Sequence, residues 1–128
     1  MSTVLAVLVA AVVAFVLSGG YYASLATRLA RWSPAYAGEG RPAATTAAVE
    51  LARNLVLAGV VAWLADGLGT DGAGQGLLLS LMLWSGFPVV LLAGSVFHER
   101  VHPALATTHA GDWLLKLAAI CLVITLWP

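Results

Sequence analysis

Residues 4–26 read VLAVLVAAVVAFVLSGGYYASLA, a run without a charged side chain that closes on a glycine pair and a tyrosine pair. A helix crosses the hydrocarbon core of a bilayer with about 20 mostly apolar residues, and this stretch supplies them. Three more windows meet the same requirement, at about residues 47–65, 76–97 and 105–127. None alternates with period two, and Ala and Leu outnumber the β-branched residues over most of their length, which excludes strands. The expected fold is all-α: an integral membrane four-helix bundle forming a single transmembrane domain over residues 1–128. The first run exceeds the apolar core of about 7–15 residues found in secretory signals, and Met1 to Val4 carry no basic residue, so it is read as a retained span.

Composition agrees. The chain has 128 residues, 61% of them hydrophobic and 9% charged, where soluble domains carry about 25% charged residues. The mean hydropathy is +0.94, and the length leaves no room for a separate soluble catalytic domain. A net charge of zero without a basic patch argues against a nucleic-acid partner. The single cysteine, Cys121, has no disulfide partner within the chain.

Lys and Arg in short loops set the orientation of a bundle. Arg28, Arg31 and Arg41 lie between the first two spans and Arg100 between the last two, whereas the second loop offers Asp66 and Asp71. The first and third loops are therefore expected in the cytoplasm, and both termini and the Asp66–Gly76 turn outside. The glycines of that turn follow a helix and sit among acidic residues, unlike a phosphate-cradling loop, so it is read as a tight linker. In the first loop Leu25, Leu29 and Trp32 share a helical face away from Arg28 and Arg31, as in a short stretch lying along headgroups. Tyr21, Tyr22, Trp32 and Tyr36 would form the inner aromatic belt, with Trp127 at the outer one.

Ala6, Ala10, Ala14 and Ser18 recur every fourth residue on span one. Such a stripe lets helix backbones approach closely, and it can pack within one chain or between copies in a homo-oligomer. Gly59, Gly86 and Gly94 are further candidate close-approach points, and Pro88 is expected to kink span three just after Gly86. Arg-x-x-Pro-Ala occurs in both cytoplasmic loops, as Arg31-Trp-Ser-Pro-Ala and Arg100-Val-His-Pro-Ala, the pattern a duplicated two-helix hairpin would leave.

Ionisable residues inside a span cost several kcal/mol unless they pair, face the bundle interior or reach the interface. Span two contains Glu50, Arg53 and Asn54 on one face; span four contains His109, Asp112 and Lys116 on one face. Both spans start at the cytoplasmic surface, so the two clusters sit at matching depths. The expected pairing is Glu50 with Lys116 and Arg53 with Asp112, with Asn54 and His109 as neutral hydrogen-bonding neighbours. The cluster reads in three ways: charges that only hold helix register, a cytoplasm-facing polar pocket for a small ligand or for protons moving through His109, or side chains snorkelling to the headgroups.

His98-Glu99-Arg100-Val101-His102 matches His-Glu-x-x-His, in which two imidazoles on one helical turn hold zinc and the glutamate acts as general base. Pro103 disfavours helical geometry at His102, and only His109 and Asp112 lie near enough to supply a third ligand. No metal site is therefore assigned, and no catalytic residue or cofactor is read from the chain.

Several runs, in order and spacing, resemble the small bacterial membrane proteins grouped as domain of unknown function 1761: Gly20-Tyr21-Tyr22, Leu83-Trp84-Ser85-Gly86-Phe87, Phe97-His98-Glu99-Arg100, and His109-Ala110-Gly111-Asp112-Trp113-Leu114-Leu115-Lys116-Leu117. The resemblance covers most of the chain and implies a four-span, multi-pass protein of the cell inner membrane, in contact with membrane lipids. It carries over no catalytic role and does not extend to the full His-Glu-x-x-His. The expected functions are thus binding or passing a small polar ligand or protons at the inner polar cluster; alternatively a structural or partner-binding membrane subunit; and third, a membrane zinc-binding protein.

Overall fold

In hydrocarbon, a backbone N–H or C=O left without a partner costs several kcal/mol, so a segment rich in Ala, Leu and Val resolves into helix. The computed structural model describes residues 3–38 and 40–128, and all regular structure among these residues is helical. The elements are α1 (Thr3–Ser24), a short α2 (Ala26–Trp32), a 3₁₀ turn (Pro34–Tyr36), α3 (Ala43–Leu68), α4 (Gly72–Gly86), α5 (Pro88–Glu99) and α6 (Pro103–Thr125). Four stretches are long and apolar enough to cross a membrane: α1, α3, α4 with α5, and α6. Each contains or overlaps one expected window, and α3 extends its window at both ends. The 22 residues of α1 give a length of about 33 Å, enough for a hydrocarbon core of about 30 Å.

Span three breaks where Pro88 was expected to bend it. Pro88 has no N–H to give the Trp84 carbonyl, and Phe87 leaves helical geometry at φ −121°, ψ −75°. The ladder resumes at once, with Leu91 N–H bonded to the Phe87 carbonyl at 2.9 Å. At the other end of the bundle, Gly69 ends α3 in the left-handed region at φ 65°, and Thr70 N–H returns to the Ala65 carbonyl at 2.9 Å. That closes the linker between α3 and α4 within three residues, shorter than the Asp66–Gly76 turn anticipated.

Helix α6 is the hub: it packs on α1 and α4 most extensively and also on α5 and α3, while α1 packs on α3. The core is correspondingly fine-grained, with Ala10, Ala11, Ala14, Ala58 and Ala65 around Val61, Leu79, Leu117, Ile120 and Cys121. Ala6, Ala10, Ala14 and Ser18 are all buried within this one chain, so the stripe serves helix packing inside the bundle. The close-approach glycines are not those expected. A Cβ at Gly59, Gly86 or Gly94 would meet only open space, whereas one at Gly76 would strike the Thr125 side chain and one at Gly111 the Tyr21 hydroxyl. The three expected glycines lie on helix faces away from α6; the two that matter face it or lie on it.

In the first connection α2 buries Leu29 and leaves Arg28 and Arg31 exposed, as the shared face of Leu25, Leu29 and Trp32 implied. The two Arg-x-x-Pro-Ala segments prove to be local caps. Ser33 Oγ accepts from Ala35 N–H at 3.3 Å and His102 Nδ1 from Ala104 N–H at 3.1 Å, each with proline at the first helical position. Proline is pre-set for that position, so a shared capping solution explains the match without a duplication. The two caps also meet: the Trp32 ring stacks on His102, centroids 6.0 Å apart.

Candidate functional site

Starting from Ala43, α3 brings Glu50 two turns into the bundle and Arg53 and Asn54 a turn deeper; starting from Pro103, α6 does the same with His109, Asp112 and Lys116. Helix α1 arrives between them with Ser18 and Tyr22. All six residues of the expected cluster line one cavity of about 690 Å³, together with Ser18, Tyr22, Tyr36 and Trp113. The convergence of spans two and four at one depth is thus as expected.

The pairing is not. Glu50 and Lys116, and Arg53 and Asp112, form no ion pair; each charge instead pairs along its own helix. Arg53 Nη1 lies 2.6 Å from Glu50 Oε1, and Lys116 Nζ 3.1 Å from Asp112 Oδ2. Residues three and four apart already share a helix face, so local pairing requires no particular distance between helices. A gap between α3 and α6 then remains, and that gap is the cavity.

The two pairs differ in setting. The Asp112 and Lys116 side chains are each 4% exposed, Ser18 Oγ donates a hydrogen bond to Asp112 Oδ1, and Lys116 Nζ lies 4.8 Å from the Trp113 ring centroid. Both carboxylate oxygens are occupied and the ammonium rests on an aromatic face, so this pair is the sealed floor of the site. The Arg53 and Glu50 side chains are 55% and 33% exposed, which leaves guanidinium and carboxylate accessible on the cavity wall.

Between them stand the neutral groups. Tyr22 Oη and His109 Nδ1 are hydrogen bonded at 2.5 Å, joining α1 to α6. Asn54 is 2% exposed and lines the cavity, yet its amide makes no hydrogen bond among the described residues. Among the described residues no sealed side-chain N or O lacks a partner, so the Asn54 amide keeps its polar atoms open to the cavity, where burying them without a partner would cost a few kcal/mol. Tyr36, in the 3₁₀ turn at the rim, has its phenol pushed above the usual range by burial, then by the Glu50 and Asp112 carboxylates, with Arg53 opposing. It stays a protonated donor at neutral pH.

Ser18, Tyr22, Tyr36 and Trp113 are site residues that sequence reasoning placed elsewhere, in a packing stripe, in an aromatic belt or nowhere. Tyr21 likewise leaves its expected belt role to bond across helices, its hydroxyl donating to the Thr108 carbonyl at 2.8 Å. Trp84 does the same from α4, donating to the Ala110 carbonyl at 2.8 Å. For Tyr22 the available signal was depth, since it ends span one at the level where His109 enters span four.

The His-Glu-x-x-His segment does not form the turn its chemistry needs. His98 sits in the last turn of α5, Arg100 adopts a left-handed conformation at φ 56°, and His102 caps α6. The two imidazoles therefore belong to different helices. Among the described residues no three His, Cys, Asp or Glu side chains gather as a metal site.

A family model described as "Protein of unknown function (DUF1761)" matches residues 5–125, a range that includes every residue lining the cavity. No curated protein and no solved structure matches the chain.

Proposed function

We propose that the chain, which belongs to the family described as protein of unknown function (DUF1761), is a multi-pass protein of the cell inner membrane that binds a small polar ligand in the cavity between α1, α3 and α6. The observation that carries this reading is the meeting of six polar side chains from two helices on one cavity of about 690 Å³, with the Asn54 amide open to it and making no hydrogen bond among the described residues. That volume lies within the range of about 300–1,000 Å³ typical of ligand sites. The same end of the bundle carries Arg28, Arg31, Arg41 and Arg100, and the opposite turn Asp66 and Asp71. By the positive-inside rule this supports a cytoplasmic cavity and two external termini.

Binding is favoured over passage. Beyond Lys116 the bundle interior is largely apolar, with Ala10, Ala11, Val61, Ala65, Ile120 and Cys121 buried, and the buried Ser80 and Thr125 hydroxyls there already donate to carbonyls of their own helices. A polar ligand or a proton leaving the cavity on that side would meet no buried charged group among the described residues and only hydroxyls already engaged. The Asp112–Lys116 pair keeps the structural role that the alternative reading gave to the whole cluster, because its partners are already satisfied.

Accessibility tests the proposal. In a Cys121→Ser background, Asn54→Cys should react with a small charged thiol reagent applied from the cytoplasmic side of inverted vesicles, and Ala62→Cys, in the packed part of α3, should not. An unreactive Asn54→Cys in folded protein would remove the polar cavity.

A further inference from the structure

A second cavity, of about 410 Å³, lies between α3, the α4–α5 break and α6. Its lining is wholly apolar and includes Val60, Leu64, Phe87, Leu91 and Leu117. It exists because α3 packs on α1 and α6 but not extensively on α4 or α5, and because the break at Phe87–Pro88 turns span three at that level. Leu92 and Trp113 line both cavities. A charged compartment and an apolar one therefore stand side by side, divided by two side chains, in a segment of chain long and apolar enough to lie within a bilayer.

We propose that the two compartments form one site for a zwitterionic phospholipid, its headgroup in the polar cavity and an acyl chain in the apolar groove. This rests on the binding role proposed above and names its ligand class. The headgroup follows from the charges. The wall offers one accessible guanidinium and one accessible carboxylate, Arg53 and Glu50, side by side. A phosphate suits the planar fork of Arg53 and an ammonium suits Glu50, while Asn54 can donate or accept. Arg53 and Glu50 already neutralise each other, so a head carrying a single charge of either sign would leave the site with a net charge, whereas a zwitterionic head leaves it neutral. The tail follows from the groove: apolar side chains in lipid gain no hydrophobic drive from association, so a groove of Leu, Val and Phe is filled by dispersion contact with a chain of its own kind. Phe87 and Leu91 are largely exposed, which leaves the groove open to the surrounding acyl chains.

The experiment uses full-length protein in detergent, stripped of lipid, titrated with fluorescent phosphatidylethanolamine and, separately, phosphatidylglycerol carrying the same chains. Saturable binding of the first, at least tenfold tighter than the second, is expected. Val60→Trp, at a half-exposed groove position, should weaken it tenfold or more by filling the groove, and Glu50→Gln with Arg53→Gln should abolish the preference between headgroups. Leu91→Trp provides a second groove variant should Val60→Trp fail to fold. Equal affinity for both lipids, or groove variants that bind as the wild type does, would overturn the lipid assignment. If Asn54→Cys nevertheless stays reactive, the polar cavity survives that failure, whereas loss of its reactivity would sink both.

Discussion

The buried pair on α6 offers the sharpest test of the site's construction. Asp112 and Lys116 are each 3% exposed, with 3.1 Å between Oδ2 and Nζ. Lys116→Met keeps most of the apolar stem in place but strands the carboxylate with only the Ser18 hydroxyl as a partner. Breaking a buried pair in this way costs about 3–5 kcal/mol. Asp112→Leu strands the ammonium, and the Trp113 face offsets that only in part, by up to about 2 kcal/mol. With both changes no charge is left unpaired. Ser18 then loses its acceptor but can turn to a carbonyl one turn back on its own helix, so the double variant should lie within about 1–2 kcal/mol of the parent, and a coupling of about 3 kcal/mol or more should appear in the cycle. Reversible unfolding in mixed detergent, followed by helical circular dichroism, measures it. The parallel cycle on Arg53→Met and Asp112→Leu serves as control. Those residues belong to different pairs, and their effects should add within about 0.5 kcal/mol. Strong coupling in the second cycle and additivity in the first would show that the charges pair between helices and would refute the assignment.

Three further outcomes follow from the packing and the loops. Gly76→Ala places a Cβ against the Thr125 side chain, whose hydroxyl is bonded to the Cys121 carbonyl at 2.8 Å; it should destabilise by about 1–3 kcal/mol, whereas Gly59→Ala, where a Cβ meets open space, should stabilise by about 0.5–1 kcal/mol in the same unfolding assay. Cysteines at Ser33 and Thr70 of a Cys121→Ser variant should be labelled from opposite faces of the membrane by an impermeant thiol reagent, and labelling of both from outside would reverse the orientation argument. Elemental analysis of purified protein should find no stoichiometric zinc; zinc bound in proportion to chain and lost on His98→Ala would restore the metal reading.

What the sequence made legible follows from which physics acts on it locally. The four helices long and apolar enough to cross a membrane could be read because length and polarity are properties of each segment separately, and the break at Pro88 because a missing N–H is a property of one residue. The six cluster residues were found because a charged or strongly polar side chain within a long apolar segment stands out wherever it lies. Their pairing was not legible: it depends on whether α3 and α6 approach closely enough for side chains to bridge, which no periodicity encodes. The same holds for glycine. Gly59 and Gly94 sit in helices as Gly76 does, but only a packed neighbour gives a missing Cβ its meaning. Tyr22 and Tyr36 looked like interface aromatics because the hydroxyl and ring of a belt tyrosine and of a cavity tyrosine are the same in sequence. The Arg-x-x-Pro-Ala match is a case where one local property, a proline-started cap, accounts for a repeated pattern by itself.

The position of the site follows from how α6 divides its surface. One turn after another it presents His109, Asp112 and Lys116, then Leu117, Ile120 and Cys121, so a single helix changes from polar to apolar partway along its length. The Ala10, Ala11 and Ala14 surface of α1 lets backbones close on the apolar half, while on the polar half Ser18 keeps contact through a hydroxyl and the bulk of Tyr22 fills the approach through His109. Close packing of α1 on α6 at one end and large polar side chains at the other leave α3 and α6 standing apart near Glu50. The cavity is then the geometric result of the same helix faces that stabilise the bundle, and its floor is Asp112 and Lys116, the last charged residues of α6.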